Sequence, residues 1–195
     1  MARRLTQRGK ERRRQLLDFA TERFAANGYH PTSVAEIVEG LGVGKGVFYW
    51  YFDSKEELFA EILKEAQADL RRRQQEAIES VDDAVSRIEI GIRTSMEWAA
   101  DNEDLFTLFR FAISEEEFAP ALRAGADLAV SDAVRHLEDA IANGDVRDAD
   151  PDMLAYAILG VNIHLASVFI HERGVAPADV ADLAVSFCLE GILGR

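Results

Sequence analysis

A chain of 195 residues, 48% of them hydrophobic, can bury a core of its own, as one large domain or two small ones. Four prolines, thirteen glycines and no alternating apolar and polar segment bounded by turn residues argue against a sheet and for an all-α fold. The lone cysteine, Cys188, excludes an intrachain disulfide and fits a reducing, cytoplasmic setting, while the net charge of −13 speaks against nucleic acid only until it is divided.

Residues 1–55 hold ten Lys and Arg against six Asp and Glu, a balance of +4; residues 56–195 hold twelve against twenty-nine, a balance of −17. A basic head on an acidic body concentrates any attraction to phosphate in one place and repels it elsewhere. Arg3, Arg4, Arg8, Lys10, Arg12, Arg13 and Arg14 open the chain. A basic arm that tracks phosphates or enters the minor groove accounts for them, and so does a merely soluble tail. No apolar run follows, so a secretory signal is not expected.

The first helix is expected from between Gly9 and Arg12 to Asn27, burying Leu16, Leu17, Ala20 and Phe24. Ser33-x-x-Glu36 is a capping box ahead of Val34, Ile37, Val38 and Leu41, which share one helical face. Gly42 stands where a helix ends in the left-handed conformation. A second short helix is expected from Lys45 to Phe52 with Gly44 as its N-cap. At 100° per residue its Phe48, Tyr51 and Phe52 point one way, and Gly46, Tyr49 and Trp50 the other, with Val47 on the flank. Exposed Tyr and Trp among glycines and a lysine make sense on a face that docks on something. Two short helices about a glycine turn are a helix-turn-helix, whose second helix enters the DNA major groove. An ordinary helical hairpin is the plainer reading.

Ser54-x-x-Glu57 caps a long fourth helix, from Asp53 to about Ser80, with Leu58, Phe59, Ile62, Leu63 and Ala66 as its core stripe. Lys55 lies in its first turn, where a phosphate contact is natural. This helix is expected to be the only continuous link between the reading head and the rest. Arg71-Arg72-Arg73 reads as a solvated face. Further helices are expected over Asp83–Ala100, Glu103–Ser114, Ala119–Asn143, Pro151 to about Glu172, and Pro177 to about Leu193, nine in all. The eighth is apolar nearly all round, with Leu154, Ile158, Val161, Leu165 and Val168 on one side and Met153, Ala157, Gly160 and His164 on another. With Val180, Ala184, Phe187, Cys188 and Gly191 on the ninth, it suits a homodimer interface made by two helices from each copy. The run Tyr156–Ile170 contains Asn162 and His164, and its fifteen residues suit a buried helix better than a membrane span.

From Arg12 to Phe59 the chain closely resembles the DNA-binding domain of the TetR family of bacterial transcriptional regulators. The resemblance rests on Phe24, Gly28-Tyr29, Thr32, Ile37, Gly42-Val43, Lys45-Gly46, Tyr49, Tyr51-Phe52 and Ser54-Lys55-Glu56. Gly44 and Val47 stand where hydroxyl residues are common in the family, and Trp50 where His is common. The resemblance implies a DNA-binding domain over residues 1–54 and a helical ligand-binding and dimerisation domain over 55–195. It implies a regulator, expected to be a repressor, that binds a pseudo-palindromic double-stranded operator as a homodimer through helices 8 and 9. Thr32, Ser33, Gly44, Lys45, Gly46, Val47, Tyr49, Trp50 and Lys55 are the expected DNA contacts. A small, largely apolar effector is expected among Trp98, Phe106, Phe109, Arg110, Tyr156, Asn162 and His164, in a pocket of helices 4 to 8.

Two other classes compete: a helical module binding a protein through Tyr49 and Trp50, and a small-molecule-binding bundle without DNA. No phosphate loop, nucleophile elbow or paired-carboxylate motif points to an enzyme. His164 and His171 are two turns apart, too far to hold one ion together, so no metal, cofactor or membrane partner is expected.

Overall fold

The structure, a computed structural model, describes residues 6–192, so Arg3 and Arg4 of the basic arm lie outside the described residues. Its helices are α1 Gln7–Asn27, α2 Val34–Gly40, α3 Lys45–Tyr51, α4 Lys55–Ile78, α5 Ala84–Asp101, α6 Glu103–Ser114, α7 Ala119–Asn143, α8 Pro151–Leu165 and α9 Pro177–Ile192. No strand interrupts them among the described residues. Arg8 to Arg14 are not an extended arm; they form the first turns of α1, where Thr6 Oγ1 accepts the Gly9 N–H.

The capping residues act as their types require. Ser54 Oγ accepts the Glu57 N–H at 3.1 Å, and the Glu57 carboxylate reaches back to accept the N–H of Asp53, one residue before the cap. The box at α2 is half made: Ser33 Oγ accepts the Glu36 N–H, but the Glu36 carboxylate turns to Arg23 at 2.6 Å. Asp150 Oδ1 caps α8 through the N–H groups of Asp152 and Met153. Gly42, at φ +65°, makes the left-handed turn that ends α2, a conformation costly for any residue with a Cβ.

The chain separates into two compact units, Met1–Ala66 with Asp104–Leu122, and Gln67–Glu103 with Arg123–Arg195. This division differs from a boundary at Ser54 and Lys55. The physical reason is the apolar stripe of α4: Leu58, Phe59, Ile62 and Leu63 share one core with α1 to α3, so the first unit runs on to Ala66. Leu108, Ala112 and Phe118 belong to the same core and bring α6 and the tight 3-10 turn Glu116–Phe118 with them. Helix α4 is therefore not the only continuous link. Both α4 and α7 run unbroken from one unit into the other.

In the second unit α5 packs against α9 and α8. Helix α8 does not keep α-helical pitch to Glu172. Its last turns, Ala166–Glu172, widen into a π-helix that Gly174 closes at φ +65°. Pro151–Glu172 is long and apolar enough, by length and composition alone, to cross a membrane, and only 28% of an 18-residue apolar stretch within it is buried. The outer face expected at Met153, Ala157, Gly160 and His164 is exposed, together with Tyr156 and Ile163.

Helices α1 and α2 approach closely at Gly40. A Cβ at Gly40 would sit 2.2 Å from the tip of the Phe19 ring. Gly40→Ala is expected to destabilise the first unit by about 1–3 kcal/mol, the usual cost of overpacking. Adding Phe19→Leu should recover most of that loss, as measured by the denaturant midpoint.

Candidate functional site

The first candidate site is built outward from Phe48. Helix α3 has seven residues and no side-chain cap at Gly44, so it cannot stand alone in water. Phe48 and Phe52, both buried, pin it to the core of the first unit with ring centroids 5.8 Å apart. Each such burial stabilises by roughly 1.5–3 kcal/mol. The opposite face is then forced outward: Gly44, Lys45, Gly46, Tyr49 and Trp50 are exposed, and Val47 lies between. More than half of the Tyr49 and Trp50 surface is open, 54% and 59%. A Cβ at Gly44 or Gly46 would meet nothing within 4 Å. Neither glycine is needed for internal packing, and Gly46 weakens the helix it sits in. Something outside the chain is the natural reason for its small size.

Ser33 is exposed at the start of α2 and caps it through its hydroxyl oxygen. Arg8, Lys10 and Arg14 are exposed on α1. Arg13 is committed inward: it reaches Glu61 at 2.5 Å and also Glu65, and its guanidinium lies 5.3 Å over the Phe52 ring.

Two residues expected at DNA have hydrogen-bond partners inside the chain. Thr32 is fully buried, its hydroxyl donating to the Gly28 carbonyl at 2.8 Å, and it has no surface to offer a ligand. Lys55 turns its ammonium onto the carbonyls of Tyr29 and Thr32 at 3.0 and 3.1 Å, 4.2 Å above the Tyr29 ring. Backbone carbonyls in the turn after α1 hold this ammonium. The Tyr29 hydroxyl donates to Glu56, and burial, then that carboxylate, pushes its pKa far above the ordinary phenol range. Lys55→Met should therefore lower the stability of the first unit by roughly 1–2 kcal/mol, because its hydrogen bonds are charged but partly exposed. Thermal unfolding compared with the parent protein measures it.

The second candidate site is a cavity of about 530 Å³ inside the second unit, lined by α4, α5, α7 and α8. Ile78, Ile88, Ile92, Leu137 and Ile158 supply its apolar surface. Arg71, Gln74, Arg87, Asp132, His136 and Asn162 supply polar groups. Arg71 is paired with Asp132 at 2.6 Å, and Gln74 donates to the Gly91 carbonyl and to Ser95. His136 Nδ1 and Asn162 Oδ1 are buried without a hydrogen-bond partner, a cost that buried polar groups seldom bear without a reason. Burial, then the nearby Arg87 and Arg135, holds the His136 pKa below the ordinary imidazole range.

Of the seven residues expected at an effector, only Asn162 lines this cavity. Trp98 is buried and donates its indole N–H to Asp69 at 2.9 Å. Phe106, Phe109 and Arg110 belong to the first unit. Tyr156 is half exposed and donates to Asp127, and His164 is exposed. Ile158, read as an interface residue, lines the cavity instead. The residues missed left one signal in the sequence. The apolar stripe of α4 turns polar after Ala66, and Arg71, Gln74 and Gln75 line the cavity together with Ile78. Among the described residues no group of His, Cys, Asp or Glu could hold a metal ion.

Residues 16–62 match the family model for bacterial regulatory proteins of the tetR family. The chain is 27% identical over 193 residues to the uncharacterised HTH-type transcriptional regulator YdgC of Bacillus subtilis, covering 96% of each chain. It superposes with a TM-score of 0.83 on a Syntrophomonas wolfei protein assigned to the TetR family of transcriptional regulators, at 25% identity over 92% of this chain and 93% of that one. A transcriptional regulator from Saccharomonospora viridis, solved in complex with choline, shares the fold at 19% identity, with a TM-score of 0.77 over 95% of this chain and all of the other.

Proposed function

This chain belongs to the TetR family of bacterial regulatory proteins, and we propose that it is a homodimeric repressor whose grip on its operator is released by a small molecule. It is a DNA-binding transcriptional regulator. The observation that carries the finer reading is the outer face of α3, where two glycines without an internal reason flank Lys45 and leave Tyr49 and Trp50 in solvent. The glycines let a sugar-phosphate backbone approach closely. Uncapped N–H groups in the first turn of α3 favour an anion, and the two aromatic side chains reach base edges or thymine methyls. Ser33 at the head of α2 and the exposed Arg8, Lys10 and Arg14 of α1 add phosphate contacts.

Gly46→Ala separates binding from folding. The variant should be more stable than the parent, by a few tenths to about 1 kcal/mol, because alanine is the better helix former. It should also bind a selected operator at least about tenfold more weakly. Unfolding curves and an operator titration at fixed salt measure the two effects. Unchanged operator binding would remove α3 from the interface.

The exposed apolar face of α8 and α9 supports assembly. Met153, Tyr156, Ile163, Leu183 and Phe187 are all large and open to solvent, and a second copy is the natural cover for such a face. Two recognition helices then read one face of the duplex, at a spacing of about 34–36 Å or a multiple of it. Phe187→Glu should give a folded monomer by sedimentation at micromolar concentration, with operator binding lost. Ile158 is not suitable for this test, because it lines the cavity.

The cavity supports the effector. Its volume is in the range of small-molecule sites, and its lining is mostly apolar with a few convergent polar groups. An effector changes DNA affinity only by preferring one conformation of the dimer. Helices α4 and α7 both line the cavity and both continue into the first unit, so they are the two rods that carry the preference.

A further inference from the structure

The charge of the cavity wall runs against the charge of the chain around it. Residues 56–195 hold twelve basic and twenty-nine acidic side chains. Around the cavity the proportion inverts, to Arg71, Arg87 and Arg135 against Asp132 and Asp139. These charges are not equally committed. Asp132 accepts from both Arg71, at 2.6 Å, and Arg135. Among the described residues the carboxylate that Arg87 meets is that of Asp139, at 3.5 Å, and it is 61% exposed to water. The Arg87 Nε donates to the Val81 carbonyl at 2.6 Å, which aims the guanidinium without neutralising it. His136, beside it, has its charged form suppressed by burial and by Arg87 and Arg135, so it does not supply a second cation at neutral pH. An oriented guanidinium with a weak, solvated counter-ion is the element of this wall best prepared for an incoming anion.

Resting on the reading of this cavity as the effector site, we propose that the effector is an amphiphilic organic anion, its oxyanion head on Arg87 and its apolar body against Ile88, Ile92, Leu137 and Ile158. An uncharged molecule of the same shape fills the apolar part but gains nothing from Arg87. A cation is disfavoured by the excess of arginine. Asp139 loses little when displaced, because its carboxylate is already mostly hydrated.

Two fluorescent probes of nearly the same shape test the class: 8-anilinonaphthalene-1-sulfonate, an anion, and N-phenyl-1-naphthylamine, which lacks the sulfonate. The intact protein should bind the sulfonate roughly ten- to hundredfold more tightly, the difference that a charge-assisted hydrogen bond carries. Arg87→Gln should abolish that preference and leave the uncharged probe within about twofold. Arg87→Lys, which keeps the charge, should retain part of the preference. Ala133→Trp, which fills the cavity, should weaken both probes. Equal binding of the two probes by the parent, or an unchanged preference in Arg87→Gln, overturns the anion proposal while leaving the cavity reading intact. Sulfonate binding that survives Ala133→Trp overturns both, since the probe then sits elsewhere.

Discussion

A seven-residue helix has too few internal hydrogen bonds to persist in water, and α3 exists because Phe48 and Phe52 are buried beneath it. That single constraint orders the first unit. The core that receives the two rings is closed by Phe24, Tyr29 and Phe59, whose ring centroids lie 4.8–5.5 Å apart. Lys55 ties the turn after α1 to the start of α4, and Arg13 ties α1 to the middle of α4 while covering Phe52. With its inner face held in this way, α3 can carry small and exposed residues on its outer face. Gly46 is the clearest of them, because it costs helix stability and relieves no internal contact.

The second unit spends stability differently. Its cavity leaves two buried polar atoms, on His136 and Asn162, without partners and keeps Arg87 beside a weak counter-ion. A core built only for stability would have closed this space with apolar side chains. Of the four helices that border it, α4 and α7 also pass unbroken into the first unit.

Some of the molecule could be read from neighbouring residues alone. Asp150-Pro151, Ser54-x-x-Glu57 and Gly42 act through atoms within four positions of themselves, so the starts and stops they mark need no knowledge of the fold. The inward and outward faces of α3 follow from the helical period, and Phe48 and Trp50 lie where that period puts them. The exposed side of α8, from Met153 to His164, follows for the same reason. Lys55 could not be read this way. Its partners, the carbonyls of Tyr29 and Thr32, lie 26 and 23 residues back along a turn whose course depends on how α1 packs against α4. The half-made cap at Glu36 has the same origin, since Arg23 on the neighbouring helix competes for the carboxylate.

The sequence by itself determined the nine α-helices of the described residues, the helix-turn-helix and its outward face, and the contrast of a basic head with an acidic body, because each depends on period, capping and composition. Only the tertiary structure decided that α6 joins the head, that α8 relaxes into a π-helix at Ala166, and that Arg71, Arg87, His136 and Asn162 meet around one cavity. Those four side chains lie on four helices, up to 91 positions apart from first to last. Helical periodicity says which way each faces from its own axis. It carries no information on which axes come together, and that is set by the packing of whole helices against one another.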